Sequence, residues 1–255
     1  MFPVTQTLVN SRDRIMHLRK IHSGDGLWDL FSNNKHLFFR QTFEYKNTTY
    51  FYKSNGISKS RISESEFLEE KFGRNYVPIL EEIKHDDAIS RWHNGRQYLC
   101  SYKSNIIWIF DKNGKLINTY KLEENIDSVY AFEIETENLF WFAHPAVDYV
   151  AQFSIQEFSE IKKIGVPYSS QSELNMPEDL IIYGRHLYIS DTGNKRLLIY
   201  NLNSDSISKS IYFEETIWQF LFLKEEAIIL LGNGIFAFDP KEIELPLFDH
   251  STGKN

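Results

Sequence analysis

Pairs of short apolar segments recur along the chain, and polar residues or glycines separate the two segments of each pair. The clearest pair lies within residues 177–202, where a first strand-like segment leads into two apolar segments and a closing turn. Short apolar runs bounded by turn residues are typical of β-strands. Weaker copies of this pair are present at 37–52, 98–110, 139–153 and 227–238. The pattern therefore predicts five β units in series.

A more polar segment follows most of these pairs, as expected for an outer strand that faces water on one side. These segments are 57–62, 115–120, 158–164 and 207–212. Asn55-Gly56 and Asn113-Gly114 precede two of them and predict type I′ hairpin turns, because both central residues of that turn need positive φ. Four-stranded antiparallel units that repeat about every 40 residues are typical of β-propeller blades.

The innermost strand of each blade is expected to line a central channel. These first strands align at 28–30, 89–91, 127–129, 178–180 and 218–220. Two intervals between them are longer than the others: one contains 64–84, where we expect a short amphipathic helix, and one contains a polar connector at 167–175. The predicted fold class is all-β, a single β-propeller of four-stranded antiparallel blades, with five blades favoured and six as the alternative.

The N-terminal residues contain two further strand-like segments, at 5–10 and 14–21. Closing a propeller ring removes open sheet edges, so we expect an N-terminal strand near 5–21 to pair with the C-terminal blade. Further partners for these two strands would give the six-bladed alternative. Because no flexible linker interrupts the repeats, we expect residues 1–255 to form one domain.

The best-defined unit has a recognisable order of residues. A proline-led first strand at Met176-Pro177 is followed by the segment Leu187–Asp191, a Gly193-Asn194 turn and a strand that begins at Arg196. This order resembles the NHL repeat, and the resemblance covers one unit. It implies a β-propeller that serves as an interaction domain or as an enzyme, and fold analogy alone assigns no reaction.

Asp191 and Arg196 are expected to be structural. An Asp that closes a strand before a turn commonly accepts hydrogen bonds from the amides of that turn, and Arg196 is placed to pair with it across the hairpin. In other units Ser101 and Ala143 are aligned near the position of Asp191.

Composition agrees with a β protein and narrows the partners. The chain has 20 Phe, 14 Tyr and 5 Trp, and aromatic residues favour strands. With a net charge of −7 and no long basic run, we expect no nucleic-acid partner, since phosphate binding needs a positive surface. No apolar run reaches the roughly 18 residues of a membrane span. Cys100 is the only cysteine and no secretory signal is visible, so the expected location is cytoplasmic.

Loops on a rigid scaffold commonly carry binding sites, and the loops before the first strands are expected to form one mouth of the channel. The expected site residues are Trp28, Asp29, Ser90, Arg91, Asp127, Ser128, Glu178, Asp179, Trp218 and Gln219. Two histidines, His85 and His144, are lower-ranked candidates. Carboxylates that share one axis raise each other's pKa and attract a cation or a basic group.

Two functions are open on this sequence. We favour a non-enzymatic module that binds a protein, peptide or small-molecule ligand, with Trp28 and Trp218 as anchors. The alternative is a propeller enzyme resembling hydrolases, lactonases or glutaminyl cyclases, which implies carboxylates around Ca²⁺ or Zn²⁺, or an acid paired with Trp. The chain has no His-x-x-x-His spacing, Gly-x-Ser-x-Gly elbow or Walker glycine loop. We therefore expect no cofactor, with a divalent cation (Ca or Zn) reserved for the enzyme alternative.

Overall fold

The computed structural model of the chain describes residues 5–9, 15–33, 35–43, 46, 48–73, 88–101, 106–122, 129–166 and 173–243. Two N-terminal strands, β1 (Thr5–Val9) and β2 (Ile15–Ser23), come first. Blade 1 comprises β3 (Leu27–Ser32), β4 (Leu37–Phe43), β5 (Thr48–Ser54) and β6 (Lys59–Ile62). Blade 2 follows helix α1 (Glu64–Phe72) and comprises β7 (Ala88–His93), β8 (Arg96–Ser101), β9 (Ile106–Phe110) and β10 (Leu116–Lys121).

The remaining strands form three further blades. Blade 3 comprises β11 (Ala131–Ile134), β12 (Leu139–His144), β13 (Tyr149–Ser154) and β14 (Ser159–Ile164). Blade 4 comprises β15 (Pro177–Tyr183), β16 (His186–Asp191), β17 (Arg196–Asn201) and β18 (Ser206–Tyr212). Blade 5 comprises β19 (Ile217–Leu223), β20 (Glu226–Leu231) and β21 (Gly234–Phe238), completed by β2. The five-bladed antiparallel propeller favoured by the sequence is confirmed.

Strand β2 brings the N-terminal part of the chain into the last blade. It pairs antiparallel with β21, from Arg19 opposite Ala237 to Ser23 opposite Gly234, and β1 adds an outer fifth strand to the same sheet. A bidentate ion pair joins the strands further, because Arg19 Nη2 lies 2.5 and 2.7 Å from the carboxylate oxygens of Glu226 on β20. Blade 5 thus combines strands from both ends of the described chain.

Large apolar side chains fill the spaces between blades. Trp141 of blade 3, for example, shares a buried cluster with Ile189 and Leu198 of blade 4. Equivalent clusters join blades 2 and 3, 4 and 5, and 5 and 1. Because the sheets of blades 3, 4 and 5 are covered by a neighbouring blade on both faces, strands such as Leu139–His144 are buried along almost their whole length. Two-sided burial explains why these strands are continuous apolar runs in the sequence.

Helix α1 packs against both blade 1 and blade 2. Ser63 caps its start by accepting a hydrogen bond from Glu66 N, as expected of an N-cap serine. The Phe67 ring lies 5.2 Å from Phe31 of β3, whereas Phe72 belongs to a buried cluster with residues of blade 2. The predicted helix is confirmed for Glu64–Phe72, and the rest of the 64–84 segment from residue 74 lies outside the described residues. Of the described helices, none is long and apolar enough to cross a membrane.

Two hairpin turns differ from the prediction. At Asn55-Gly56 and Asn113-Gly114 only the glycine has positive φ, so the type I′ prediction is wrong at both places. The Asn55 side chain instead accepts hydrogen bonds from the backbone of Ile57 and Ser58, which stabilises a wider loop. Two successive positive φ values, 49° and 72°, occur at Asn94-Gly95 between β7 and β8.

The turn after β16 is held by the buried carboxylate of Asp191, as expected. Arg196 Nε donates to Asp191 Oδ2 at 2.6 Å, and Asn194 Nδ2 donates to the same oxygen at 2.9 Å. The backbone N–H of Asn175 donates to Oδ1 at 2.7 Å. The structural role and the predicted pairing with Arg196 are confirmed, whereas Asn194 Nδ2 and Asn175 N donate in place of the expected turn amides.

Candidate functional site

The innermost strands of the blades stand side by side around the channel. Strand β11 contacts β7 and β15, and β19 contacts β15 and β3. Three of them have a shift in pairing register near their starts: between Trp28 and Phe31, between Pro177 and Asp179, and between Ile217 and Gln219. Such bulges redirect side chains and are frequent beside functional sites. The predicted mouth residues of blades 1, 4 and 5 lie at these irregularities.

Two polar side chains beside the bulges link one inner strand to the next. Asp179 Oδ2 accepts a hydrogen bond from Phe220 N at 3.1 Å, and Gln219 Oε1 accepts one from Leu30 N at 2.7 Å. Asp179 and Gln219 occupy equivalent positions in blades 4 and 5, since they pair with Ser190 and Leu230 of the adjacent strand. These bonds give a backbone N–H of the next inner strand a side-chain acceptor. Both side chains therefore have a structural role in the channel wall.

Arg91 of β7 reaches across blade 3 to blade 4. Its Nη2 atom donates to Asp179 Oδ1 at 3.1 Å and to the carbonyl oxygen of Leu180 at 3.3 Å. Its Nε atom lies 3.3 Å from Glu133 Oε2 on β11. The side chains of Arg91, Glu133 and Asp179 are only 18%, 13% and 7% exposed. One guanidinium thus holds two buried carboxylates from two other blades.

Burial dominates the protonation behaviour of these acids. Burial raises the pKa of both Glu133 and Asp179, and the positive charge of Arg91 opposes that rise. Glu178, next to Asp179, has its pKa raised to about 7 by burial and by the Asp179 charge. A carboxyl group that titrates near neutral pH is a feature of many functional sites. Among the predicted mouth residues, Glu178 is therefore an acid whose charge changes near neutral pH.

Asp29 of blade 1 is paired with cations from within the chain. Lys71 Nζ, near the end of α1, lies 2.5 Å from Asp29 Oδ1, and Arg40 Nε lies 3.6 Å from Oδ2. The backbone of Asp29 has a φ of 61°, a value that residues other than glycine adopt uncommonly. Asp29 thus anchors helix α1 to the inner strand of blade 1.

Trp28 and Trp218 form an aromatic pair on adjacent inner strands. Their ring centroids are 6.4 Å apart at an angle of 46°. The Trp28 residue is 46% exposed, whereas Trp218 is half-buried and packs against the core between blades 5 and 1. A third tryptophan, Trp92, is 58% exposed but lies near the opposite end of its inner strand, beside the Asn94-Gly95 turn.

The other predicted residues have different positions. Ser90 Oγ accepts a hydrogen bond from Gln97 Nε2 at 2.9 Å. His144 is buried at the end of β12, stacked on Tyr149 at 4.5 Å. His144, and not Ala143, occupies in blade 3 the position that Asp191 occupies in blade 4. His144 and Asp191 each directly precede a short 3-10 helix. Asp127, Ser128 and His85 lie outside the described residues.

The described part of the chain holds no group of three or more His, Cys, Asp or Glu side chains arranged to bind a metal ion. Asp29 and Asp179 each contact a cationic side chain of the protein itself. Cys100 is buried, and burial raises the pKa of its thiol to about 12. The thiol is therefore protonated at neutral pH.

No protein-family model matches the chain, and no curated protein is similar to it in sequence. Among solved structures, it is similar to a streptogramin B lyase, with a TM-score of 0.43 and 11% identity over 90% of this chain and 74% of that one. The computationally designed protein Ika8 matches with a TM-score of 0.42 and 10% identity, covering 90% of this chain and 69% of the designed chain. The RRP9 WD40 repeats match with a TM-score of 0.39 and 9% identity over 57% of this chain; the match spans 48% of the RRP9 chain, less than half its length.

The residue that sequence reasoning missed is Glu133. The first strand of blade 3 was expected at 127–129, but it is Ala131–Ile134, so the expected position is wrong by several residues. The polar pair Asp127-Ser128 resembled the starts of the other first strands more than the apolar segment around Glu133 does. The sequence contains one signal for Glu133: it is an acidic residue flanked by two apolar residues, Phe132 and Ile134. Both flanking residues are buried in the fold.

Proposed function

We propose that this chain is a non-enzymatic binding module whose channel mouth holds a cationic group of a protein, a peptide or a small molecule. The observation that carries the proposal is the Trp28–Trp218 pair, in which Trp28 is exposed and Trp218 is half-buried. It lies beside β15, the inner strand on which Glu178 sits, because β19 contacts both β3 and β15. Aromatic faces and a carboxylate together are the groups that recognise a cation.

The charges in the channel wall agree with a cationic ligand. Two carboxylates, Glu133 and Asp179, contact the guanidinium of Arg91, and Glu178 lies close enough to Asp179 for that charge to raise its pKa. A bound cation stabilises the ionised form of Glu178 and lowers its pKa below the value of about 7. Binding should therefore strengthen as the pH rises through that value. The overall net charge of −7 also favours cationic over phosphate-bearing ligands.

Tryptophan fluorescence tests this proposal with acetylated tetralysine as the probe and acetylated tetraglutamate as its counterpart. Tetralysine should change the emission of the wild-type protein in a saturable way, and tetraglutamate should not. Trp28→Ala should weaken binding by about 30-fold or more, as removal of an interface anchor does. Trp92→Ala is the matched control, since it removes an exposed tryptophan from the other end of an inner strand and should leave the affinity unchanged. Equal loss in the two variants, or equal binding of both peptides, would refute the proposal.

One observation favours the enzyme alternative. A carboxyl group with a pKa of about 7, as Glu178 has, suits general acid–base catalysis at neutral pH. A metal-assisted hydrolase or lactonase, or a cyclase that pairs an acid with Trp, would use the mouth carboxylates in this way. Metal analysis of the purified protein, together with hydrolysis assays of Glu178→Gln, distinguishes this alternative. Stoichiometric Ca or Zn, or a hydrolytic activity lost in Glu178→Gln, would support it.

A further inference from the structure

A chain of three hydrogen-bonded side chains lies between blades 5 and 1, separate from the mouth residues. It consists of Gln41 of β4, His22 of β2 and Lys59 of β6. The buried His22 ring packs against the rings of Phe39 and Tyr52, at centroid distances of 4.9 and 5.3 Å, and those two rings stack on each other. The three residues are distant in sequence, and they meet because β2 completes the blade next to blade 1.

The hydrogen bonds fix which nitrogen of His22 carries the proton. Gln41 Nε2 donates to the carbonyl oxygen of Asp25 at 3.1 Å, so its Oε1 atom faces His22 Nε2 at 3.0 Å. Because an amide oxygen only accepts, His22 Nε2 must donate. The other nitrogen, Nδ1, then presents its lone pair to Lys59 Nζ, with which it is hydrogen-bonded. This is the order of groups that activates a nucleophile: an orienting acceptor, an imidazole base and the nucleophile itself.

The surroundings favour the neutral forms of both basic groups. Burial lowers the pKa of His22, and the Lys59 charge lowers it further against the opposing effect of the Gln41 hydrogen bond. Burial also lowers the pKa of Lys59, whose Nζ atom lies 5.5 Å from the centre of the Tyr52 ring. Lys59 nevertheless remains exposed as a residue, so a reagent in solution can reach the amine.

We propose that Lys59 is a site of covalent acylation, at which its amine attacks the carbonyl carbon of a thioester while His22 accepts the proton. The new bond joins Nζ to the carbonyl carbon, and the bond between that carbon and sulfur breaks. The products are an acylated Lys59 amide and a free thiol, which takes up the proton released by Nζ. A thioester fits because thiols have a pKa near 8.5, so a thiolate leaves without an acid of its own.

The experiment uses the full chain and S-acetyl-N-acetylcysteamine, a simple acetyl thioester, with acetylated lysines located by peptide mass spectrometry. Lys59 should react at least about tenfold faster than the exposed Lys115, since a positioned general base contributes about 100-fold or more. His22→Phe keeps an aromatic ring against Phe39 and Tyr52 but removes the base. The rate at Lys59 should then fall to that of Lys115.

A second variant tests the proposal if His22→Phe does not fold. Gln41→Met removes the acceptor that orients His22 and should also slow acetylation of Lys59, while the rate at Lys115 stays constant. Circular dichroism confirms that each variant is folded. The proposal is overturned if Lys59 of the wild-type protein reacts no faster than Lys115. It is equally overturned if Lys59 of the folded His22→Phe or Gln41→Met variant is acetylated at the wild-type rate.

Discussion

Removing the guanidinium of Arg91 should destabilise the propeller in a pH-dependent way. Arg91→Met leaves Glu133 and Asp179 buried without their shared cation. Breaking a buried ion pair by deleting one partner costs about 3–5 kcal/mol. Because the three side chains keep a small contact with solvent, we expect the lower end, about 3 kcal/mol. For a chain of this length that corresponds to a fall in Tm of about 6–12 °C.

The sign of the pH effect follows from protonation. Without Arg91, the largest effect that opposes burial is lost, so the pKa of both acids in the folded state rises further although their backbone hydrogen bonds remain. The folded variant then binds more protons than the unfolded chain between the ordinary carboxyl pKa and the raised values. Its stability must therefore decrease as the pH rises through that interval and recover as the pH falls. The deficit relative to wild type should be larger at pH 8 than at pH 5.

Thermal unfolding followed by circular dichroism measures both effects. Arg96→Met is the matched control, because Arg96 forms an ion pair with Glu137 in which both side chains are more than 40% exposed. An exposed pair of this kind contributes little to stability. The reasoning is refuted if Arg91→Met loses no more stability than Arg96→Met, or if its deficit is the same at both pH values.

Two further substitutions test the structural account. Asp191→Asn removes the buried charge that Arg196 and Asn194 contact. The free energy of unfolding in urea should fall by about 3 kcal/mol. An unchanged free energy of unfolding would contradict the structural role of Asp191. Phe72→Ala empties part of the cluster between α1 and blade 2 and should cost about 3–5 kcal/mol; the exposed Ile57→Ala should cost almost nothing in the same measurement, and equal losses would contradict the packing described for α1.

The blades could be predicted because their packing is written into the order of residues. A sheet covered on both faces buries almost every side chain of its central strands, as in β12 and β20. This requirement produces continuous apolar runs that are visible without a structure. The outer strands, such as β10 with its mostly exposed residues, are polar for the complementary reason. The propeller class and blade number therefore followed from the sequence.

The details of the site depend on contacts that no local pattern contains. Arg91 meets Glu133 and Asp179 only because β7, β11 and β15 stand next to each other around the channel. The pairing of Asp29 with Lys71 requires a helix packed between two blades, which the amphipathic pattern of α1 does not specify. Two carboxylates that the sequence suggests as cation ligands, Asp29 and Asp179, are therefore paired with cationic side chains of the chain itself.

The prediction of type I′ turns was wrong for a related reason. The dipeptide Asn55-Gly56 is compatible with a type I′ turn, but the Asn55 side chain bonds to the backbone ahead of it and selects a wider loop. Competition between side-chain and backbone hydrogen bonds is decided by fractions of the energy of one bond. Sequence patterns of two residues do not resolve that difference.

The most direct test of the proposed cation site is the titration of Glu178 by carboxyl ¹³C NMR, with and without acetylated tetralysine. The free protein should show an apparent pKa of about 7 for this group. Saturating peptide should shift it downward, because a cation bound at the mouth favours the carboxylate. A pKa for Glu178 that stays the same when tetralysine is bound would contradict a cation site at the channel mouth.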